Sequence, residues 1–309
     1  MPTRSLLVAD DIENRTESGK KRSQAVRGAA ATLACYLKTG IELLFVEDPQ
    51  TYPAEQFDPS RIHAWHSKHW ASLEEMSRQV QVPVRCTIKS GSPAEQILKV
   101  LQSRPSPELA VVGTQGRKGL KRLLIGSVAE EVIRHSKRPV MVVGPEAQRK
   151  DLTSMGLKKF RILVATDLGR HSRAAERYAL SLAMRAGASV VLYHCLADTI
   201  RLIMQNSAIS GMLPFNFDEI LRDIREDAVL SLKHKVRFFE KQGVPCEYAL
   251  ENKSITSECA VFQEGHRGYA FIVMGTHGRN ALLNAFFGST ARETILNSSI
   301  PVITVHSGK

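Results

Sequence analysis

The chain has 309 residues, 43% hydrophobic and 24% charged, with a net charge of +11, which suits a globular polypeptide of about two domains. This composition excludes a disordered, collagen-like or disulfide-dense chain, and no apolar stretch reaches the roughly 18 residues of a membrane-spanning helix. The first apolar run, Leu6–Ala9, stops at Asp10, short of the roughly 7 apolar residues of a secretory core, so a cytoplasmic protein is expected.

In chain order, Leu6–Ala9 reads as a buried strand that runs into Asp10-Asp11. A polar segment, Glu13–Gln24, reads as an insert that could crowd the end of that strand. A second strand ends near Val46, and a third ends at Gly91-Ser92-Pro93. A fourth apolar strand runs into Gly113, a helix begins at Gly126-Ser127, and a fifth strand covers Val140–Val143. Residues 145–159 are polar, begin with proline and lack periodicity, so they read as the linker between a domain at 1–148 and one at 149–309.

The second half is cleaner. Strands are expected at Arg161–Thr166, Ser189–Cys195, Val244–Leu250, Ala270–Gly275 and Pro301–Val305. Helices are expected through Ala174, Tyr178, Leu182 and Met184, ended by Gly187, and at Phe217–Gln242, Ser257–Gly265 and Thr290–Asn297. Continuously apolar strands alternating with helices predict an α/β fold, a doubly wound parallel sheet in each half. Such sheets bind ligands beyond the carboxyl ends of their strands. Asp11, Asp167 and the glycine motifs all fall at that edge.

The two halves are copies. Residues 111–143 and 273–305 align without a gap, so that Gly113, Gly116, Gly126, Ser127 and Pro139 recur as Gly275, Gly278, Gly288, Ser289 and Pro301. The strand starting at Leu6 matches the one starting at Ile162, and Asp11 matches Asp167. Each copy carries G-x2-G-x9-G-S. A glycine at a strand end lets a ligand approach the backbone, and a helix starting at the second Gly-Ser presents free N–H groups that suit phosphate. The motif is neither a G-x4-G-K-[ST] loop nor a G-x-G-x-x-G fingerprint.

G-x2-G-x9-G-[ST] after an apolar strand, the whole block GTQGRKGLKRLLIGSVAEEVIRHSKRPVMVV, and the ILVATD start of the second copy resemble ATP-binding universal stress proteins. The resemblance spans nearly all of the chain outside the linker. It implies tandem Rossmann-like domains packed as an intramolecular pseudo-dimer through their fifth strands, Val140–Val143 and Val302–Val305. It also implies a stress-response sensor that binds an adenine nucleotide, ATP with Mg2+, in one or both domains. By that likeness Asp11 and Asp167 contact the nucleoside, and Val46 and Cys195 lie near the adenine. Gly113, Gly116, Gly126, Ser127, Gly275, Gly278, Gly288 and Ser289 hold phosphates. Arg117, Val128, His277, Arg279 and Thr290 complete the expected set. The second copy departs from the pattern at Asn252-Lys253-Ser254, where the first has Gly91-Ser92-Pro93.

The expected partners are an adenine nucleotide and protein, a second copy included, rather than nucleic acid or a membrane. Scattered basic residues, with short clusters at Lys20–Arg22 and Lys121–Arg122, read as solvated surface. His63, His66 and His69 recur every third residue and drift round a helix, so they form no metal set. The five cysteines contain no CxxC pair and read as buried thiols. No triad or general base emerges from the spacing, and no catalytic residue is assigned. Two other functions stay open on the residues. One is a slow ATPase or autophosphorylating protein with Ser127 or Ser289 as acceptor. The other is a nucleotide-free scaffold binding protein or nucleic acid through its basic surface.

Overall fold

The computed structural model describes residues 4–11, 17–48, 67, 71, 82–103, 105–114, 125–147, 160–196, 200, 217–251, 268–276 and 288–306. The chain forms two compact units, Met1–Gly156 with Ile295–His306 and Leu157–Thr294 with Ser307–Lys309.

The first unit is built from β1 (Ser5–Ala9), α1 (Glu17–Leu37), β2 (Gly40–Glu47), β3 (Val84–Ser90), α2 (Pro93–Gln102), β4 (Leu109–Gly113), α3 (Ser127–His135) and β5 (Val140–Val143). Its strands run parallel in the order β3-β2-β1-β4-β5. The reversal of strand order at β1 and β4 makes the switch point of a doubly wound sheet. Leu6, Leu7, Val8, Leu109, Ala110 and Val111 are fully buried there, as expected of a central strand pair with both faces covered.

One more strand, Val302–Val305, joins this unit and pairs antiparallel with β5, Val302 opposite Val142 and Ile303 opposite Met141. The Thr304 hydroxyl donates to the Val140 carbonyl (3.1 Å). This is the fifth-strand pairing that the resemblance implied.

The second unit contains β6 (Arg161–Ala165), α4 (Arg173–Ala186), β7 (Ser189–Cys195), α5 (Phe217–Lys241), β8 (Cys246–Glu251), β9 (Tyr269–Gly275) and the start of α6 (Ser289–Asn297); the strand Val302–Val305 is β10. Its strands are parallel in the order β9-β6-β7-β8. The expected helix at Ser257–Gly265, like His63, His66 and His69, Lys121-Arg122, Asn252–Ser254 and Cys259, lies outside the described residues.

Three expectations change. The Glu13–Gln24 segment does fall where the first copy carries extra chain, Gly40 lying 31 residues after Ala9 where Ser189 lies 24 after Ala165, but from Glu17 onward it is helix. Residues 17–24 are the first turns of α1, which has 21 residues against 14 in α4. Its polar first turns hide its period, whereas Ala29, Ala30, Leu33 and Ala34 further along are buried.

The buried face of α4 is Ala175, Ala179, Leu182 and Ala183, and Met184 is 55% exposed. Alanines at 175, 179 and 183 fall on one stripe and let the helix lie close on the sheet; weighting the larger apolar residues picks the wrong face. Gly187 ends this helix in the left-handed region (φ 63°).

Of the cysteines, Cys195 and Cys246 are buried as expected, but Cys35 is exposed on α1. Burial, with smaller contributions from Glu240 and Glu247, pushes the Cys246 thiol up to about 12.

Candidate functional site

In the first unit the carboxyl ends of β1, β2 and β4 converge, because Ala9 pairs with Leu44 and Val8 with Val111. Asp10 and Asp11 follow β1, and the Asp10 N–H bonds the Leu44 carbonyl (3.1 Å) to hold the chain there. From above, α3 starts at Ser127, with Gly126 in the N-cap position and no side-chain cap. Ala129, Val132 and Ile133 anchor the helix, and Arg134 and His135 in its last turn complement its dipole. Among the described residues no side chain caps these N–H groups, so the amino end of α3 points donors at the strand ends.

These elements enclose a cavity of about 340 Å3 lined by Asp10, Asp11, Arg22, Val26, Val46, Gly113, Ser127 and neighbours. Six residues expected from sequence line it together: Asp11, Val46, Gly113, Gly126, Ser127 and Val128. Gly116 and Arg117 lie outside the described residues. A larger cavity, about 570 Å3, lies at the opposite edge against Ser5, Gly40 and Val84, the amino ends of β1, β2 and β3. Size alone would favour it. Parallel sheets place their ligands at the carboxyl edge, where the glycines and helix donors gather, so the smaller cavity is the candidate.

Its electrostatics come from two ion pairs that sequence reading missed. Arg22 donates to Asp11 (2.9 Å), and Arg27 donates to Asp10 (2.5 Å), whose other oxygen accepts from the Ser23 hydroxyl. Arg22 and Val26, and Ser23 and Arg27, are each four residues apart on α1. That spacing puts the residues of each couple on one stripe of the helix, but which strand-end carboxylate each arginine meets is set only by the folded chain.

In the second unit Asp167, Cys195 and Gly275 stand at the ends of β6, β7 and β9, and β6 pairs with both neighbours. Gly288 at the start of α6 donates its N–H to the Thr276 carbonyl (2.9 Å), which brings Ser289 and Thr290 to the end of β9. His277, Gly278 and Arg279 lie outside the described residues.

A polar network braces the end of β6. Thr166 donates to Glu176 (2.5 Å), Lys235 donates to the other Glu176 oxygen (2.7 Å), and Ser172 donates to Asp167 (2.6 Å). The buried His194 ring bonds the Thr166 carbonyl through Nδ1 (2.8 Å); a carbonyl only accepts, so that nitrogen carries the proton. Asp167 Oδ1 also takes the Gly169 N–H (2.8 Å), while its buried Oδ2 has no hydrogen-bond partner among the described residues. An unmatched buried carboxylate oxygen is an acceptor for an incoming donor. Glu176 and Lys235 come from distant segments, and no local spacing announces them.

Comparison with known proteins agrees with this architecture. Residues 3–144 and 160–306 match the Universal stress protein family. A universal stress protein of Methanocaldococcus jannaschii is 37% identical over 71 residues, 23% of this chain and 41% of that protein. One of Mycobacterium tuberculosis is 22% identical over 82% of this chain and 79% of its own length. The crystal structure of a universal stress protein from Archaeoglobus fulgidus superposes over the whole of both chains with a TM-score of 0.66 at 18% identity, a likeness of fold.

Proposed function

The chain belongs to the universal stress protein family, and from that premise we propose that it binds an adenine nucleotide, ATP, in one or both of its domains and acts as a sensor or regulator in the stress response. The observation that carries this reading is the cavity at the carboxyl ends of β1, β2 and β4, closed by the amino end of α3. Asp11 supplies an acceptor for ribose or base, the β2 end with Val46 supplies an apolar wall, and the α3 amides with Ser127 supply phosphate donors. Mg2+ would enter with the phosphates and keep most of its waters, with a serine hydroxyl as one further oxygen.

The second domain offers Asp167, with its unmatched oxygen, and the Gly288–Thr290 helix start. The domains are assigned to 1–148 and 149–309, in a cytoplasmic protein whose output passes to protein partners. Among the described residues no helix is long and apolar enough to cross a membrane.

Denaturing the purified protein and separating the supernatant with mass detection is expected to release ATP, ADP or AMP. A Cβ on Gly113 would stand 2.9 Å from Val26 Cγ2 and 3.0 Å from Arg22 Cγ. Gly113→Ala should therefore push the Arg22 side chain into the cavity and weaken ATP there about tenfold, while flexible neighbours keep the stability loss near 1 kcal/mol. Absence of nucleotide from the wild type, with no thermal shift on adding ATP and Mg2+, would overturn the reading.

A further inference from the structure

We propose that Arg22 makes the first unit's cavity selective for phosphorylated ligands over neutral nucleosides. This rests on the nucleotide reading above and assigns that site its ligand class. The Arg22 stem lies across the end of β4, with Cγ and Cδ 3.0 and 3.1 Å from where a Gly113 Cβ would stand, so its guanidinium sits in the switch-point crevice. Its partner is the Asp11 carboxylate (2.9 Å), but the two differ in access to water: the Arg22 side chain is 9% exposed and the Asp11 side chain 43%.

A ligand hydroxyl arriving at Asp11 competes with that ion pair. The carboxylate can meet water or the ligand; the guanidinium, buried, needs another anion. Asp10 cannot replace Asp11, because Arg27 and Ser23 already hold it. Asp48 also lines the cavity and has interactions of its own. A nucleoside brings no counter-ion. A phosphate does, in the planar two-oxygen geometry that a guanidinium fits. In the second copy His171 stands at the position of Arg22, each 18 residues before the strand that follows its helix, and Asp167 is held by Ser172 and the Gly169 N–H instead, so that unit has no equivalent buried guanidinium.

The test uses the full chain and reads the first unit alone. The protein is photolabelled with 8-azido-AMP, and label is quantified on the tryptic peptide 39–61, which carries Val46. AMP and adenosine then compete for that labelling. Expected in the wild type is AMP at least about 30-fold stronger than adenosine; in Arg22→Met and in Arg22→Gln the ratio should collapse to about threefold or less, mainly through loss of AMP affinity. Melting curves confirm that each variant is folded, and the two variants serve as alternates. A ratio that stays at the wild-type value in a folded variant overturns the role of Arg22 and leaves the nucleotide site standing. Failure of the wild-type peptide to label at all overturns the nucleotide reading of this cavity, and the selectivity with it.

Discussion

Gly144→Ala is expected to be the most destabilising single-methyl addition in the first unit. Gly144 follows β5, and a Cβ built on it would stand 1.9 Å from the Ile295 carbonyl oxygen and 3.1 Å from its carbon. Backbone cannot rotate away as a side chain can, so β5 or the end of α6 must shift. Both β5 and β10, just beyond α6, are fully buried, and their pairing would be disturbed with them. Forced overpacking of this kind costs about 3 kcal/mol or more. For a unit of this size that is a fall of roughly 6–12 °C in melting temperature. Gly187→Ala is the control: nothing lies within 4 Å of its Cβ, and only the left-handed φ of 63° opposes it, which costs about 1–2 kcal/mol. A Gly144→Ala melt no lower than that of Gly187→Ala would contradict the close approach.

The second large effect is expected at Glu176. Its carboxylate is buried and takes a hydroxyl from Thr166 and the ammonium of Lys235, itself only 21% exposed. Glu176→Ala leaves that ammonium and the Thr166 hydroxyl without their partner. Loss of one member of a buried pair costs about 3–5 kcal/mol, and the partial exposure of Lys235 brings the expectation to about 2–4 kcal/mol. Glu176→Gln keeps an acceptor for Thr166 and should cost less. Adding Lys235→Met to Glu176→Gln should recover part of the loss, because no charge is then stranded. Denaturant unfolding of the single and double variants measures this directly; strict additivity would show that the two side chains are not coupled.

Much of the fold was legible because it rests on local patterns. The apolar runs at Leu6–Val8 and Ile162–Val164 became the central strands, and the two Gly-Ser steps mark the starts of α3 and α6. The antiparallel pairing of β5 with β10 followed from resemblance rather than from any spacing, since either apolar strand could have paired elsewhere. The errors were of two kinds. Polar first turns concealed α1, although Arg22 and Val26 sit one turn apart on it. Small residues concealed the buried face of α4, where alanines at 175, 179 and 183 outweigh Met184 because close approach to a sheet rewards small side chains.

At the site, the strand-end aspartates and glycines were visible because they lie in motifs. Their partners were not. Arg27 reaches Asp10 from 17 residues away and Lys235 reaches Glu176 from 59, distances at which only the folded chain makes neighbours. The two copies also solved one problem differently. The first places its buried carboxylate on the strand end as Asp10, and the second places it on the helix as Glu176. Each neutralises it with a cation from a helix, which repeat alignment alone does not display.

The most direct test of the central claim, that nucleotide is held at the carboxyl ends of the strands, is hydrogen–deuterium exchange of the full chain with and without ATP and Mg2+. Expected is slowed exchange at Ala9–Asp11, Phe45–Glu47, Gly113-Thr114 and Gly126–Ala129, with matching protection at Thr166-Asp167 and Gly288–Thr290 if both domains bind. Protection confined to Ser5, Gly40-Ile41 and Val84-Arg85, around the larger cavity at the amino ends, or no protection at all, would contradict it.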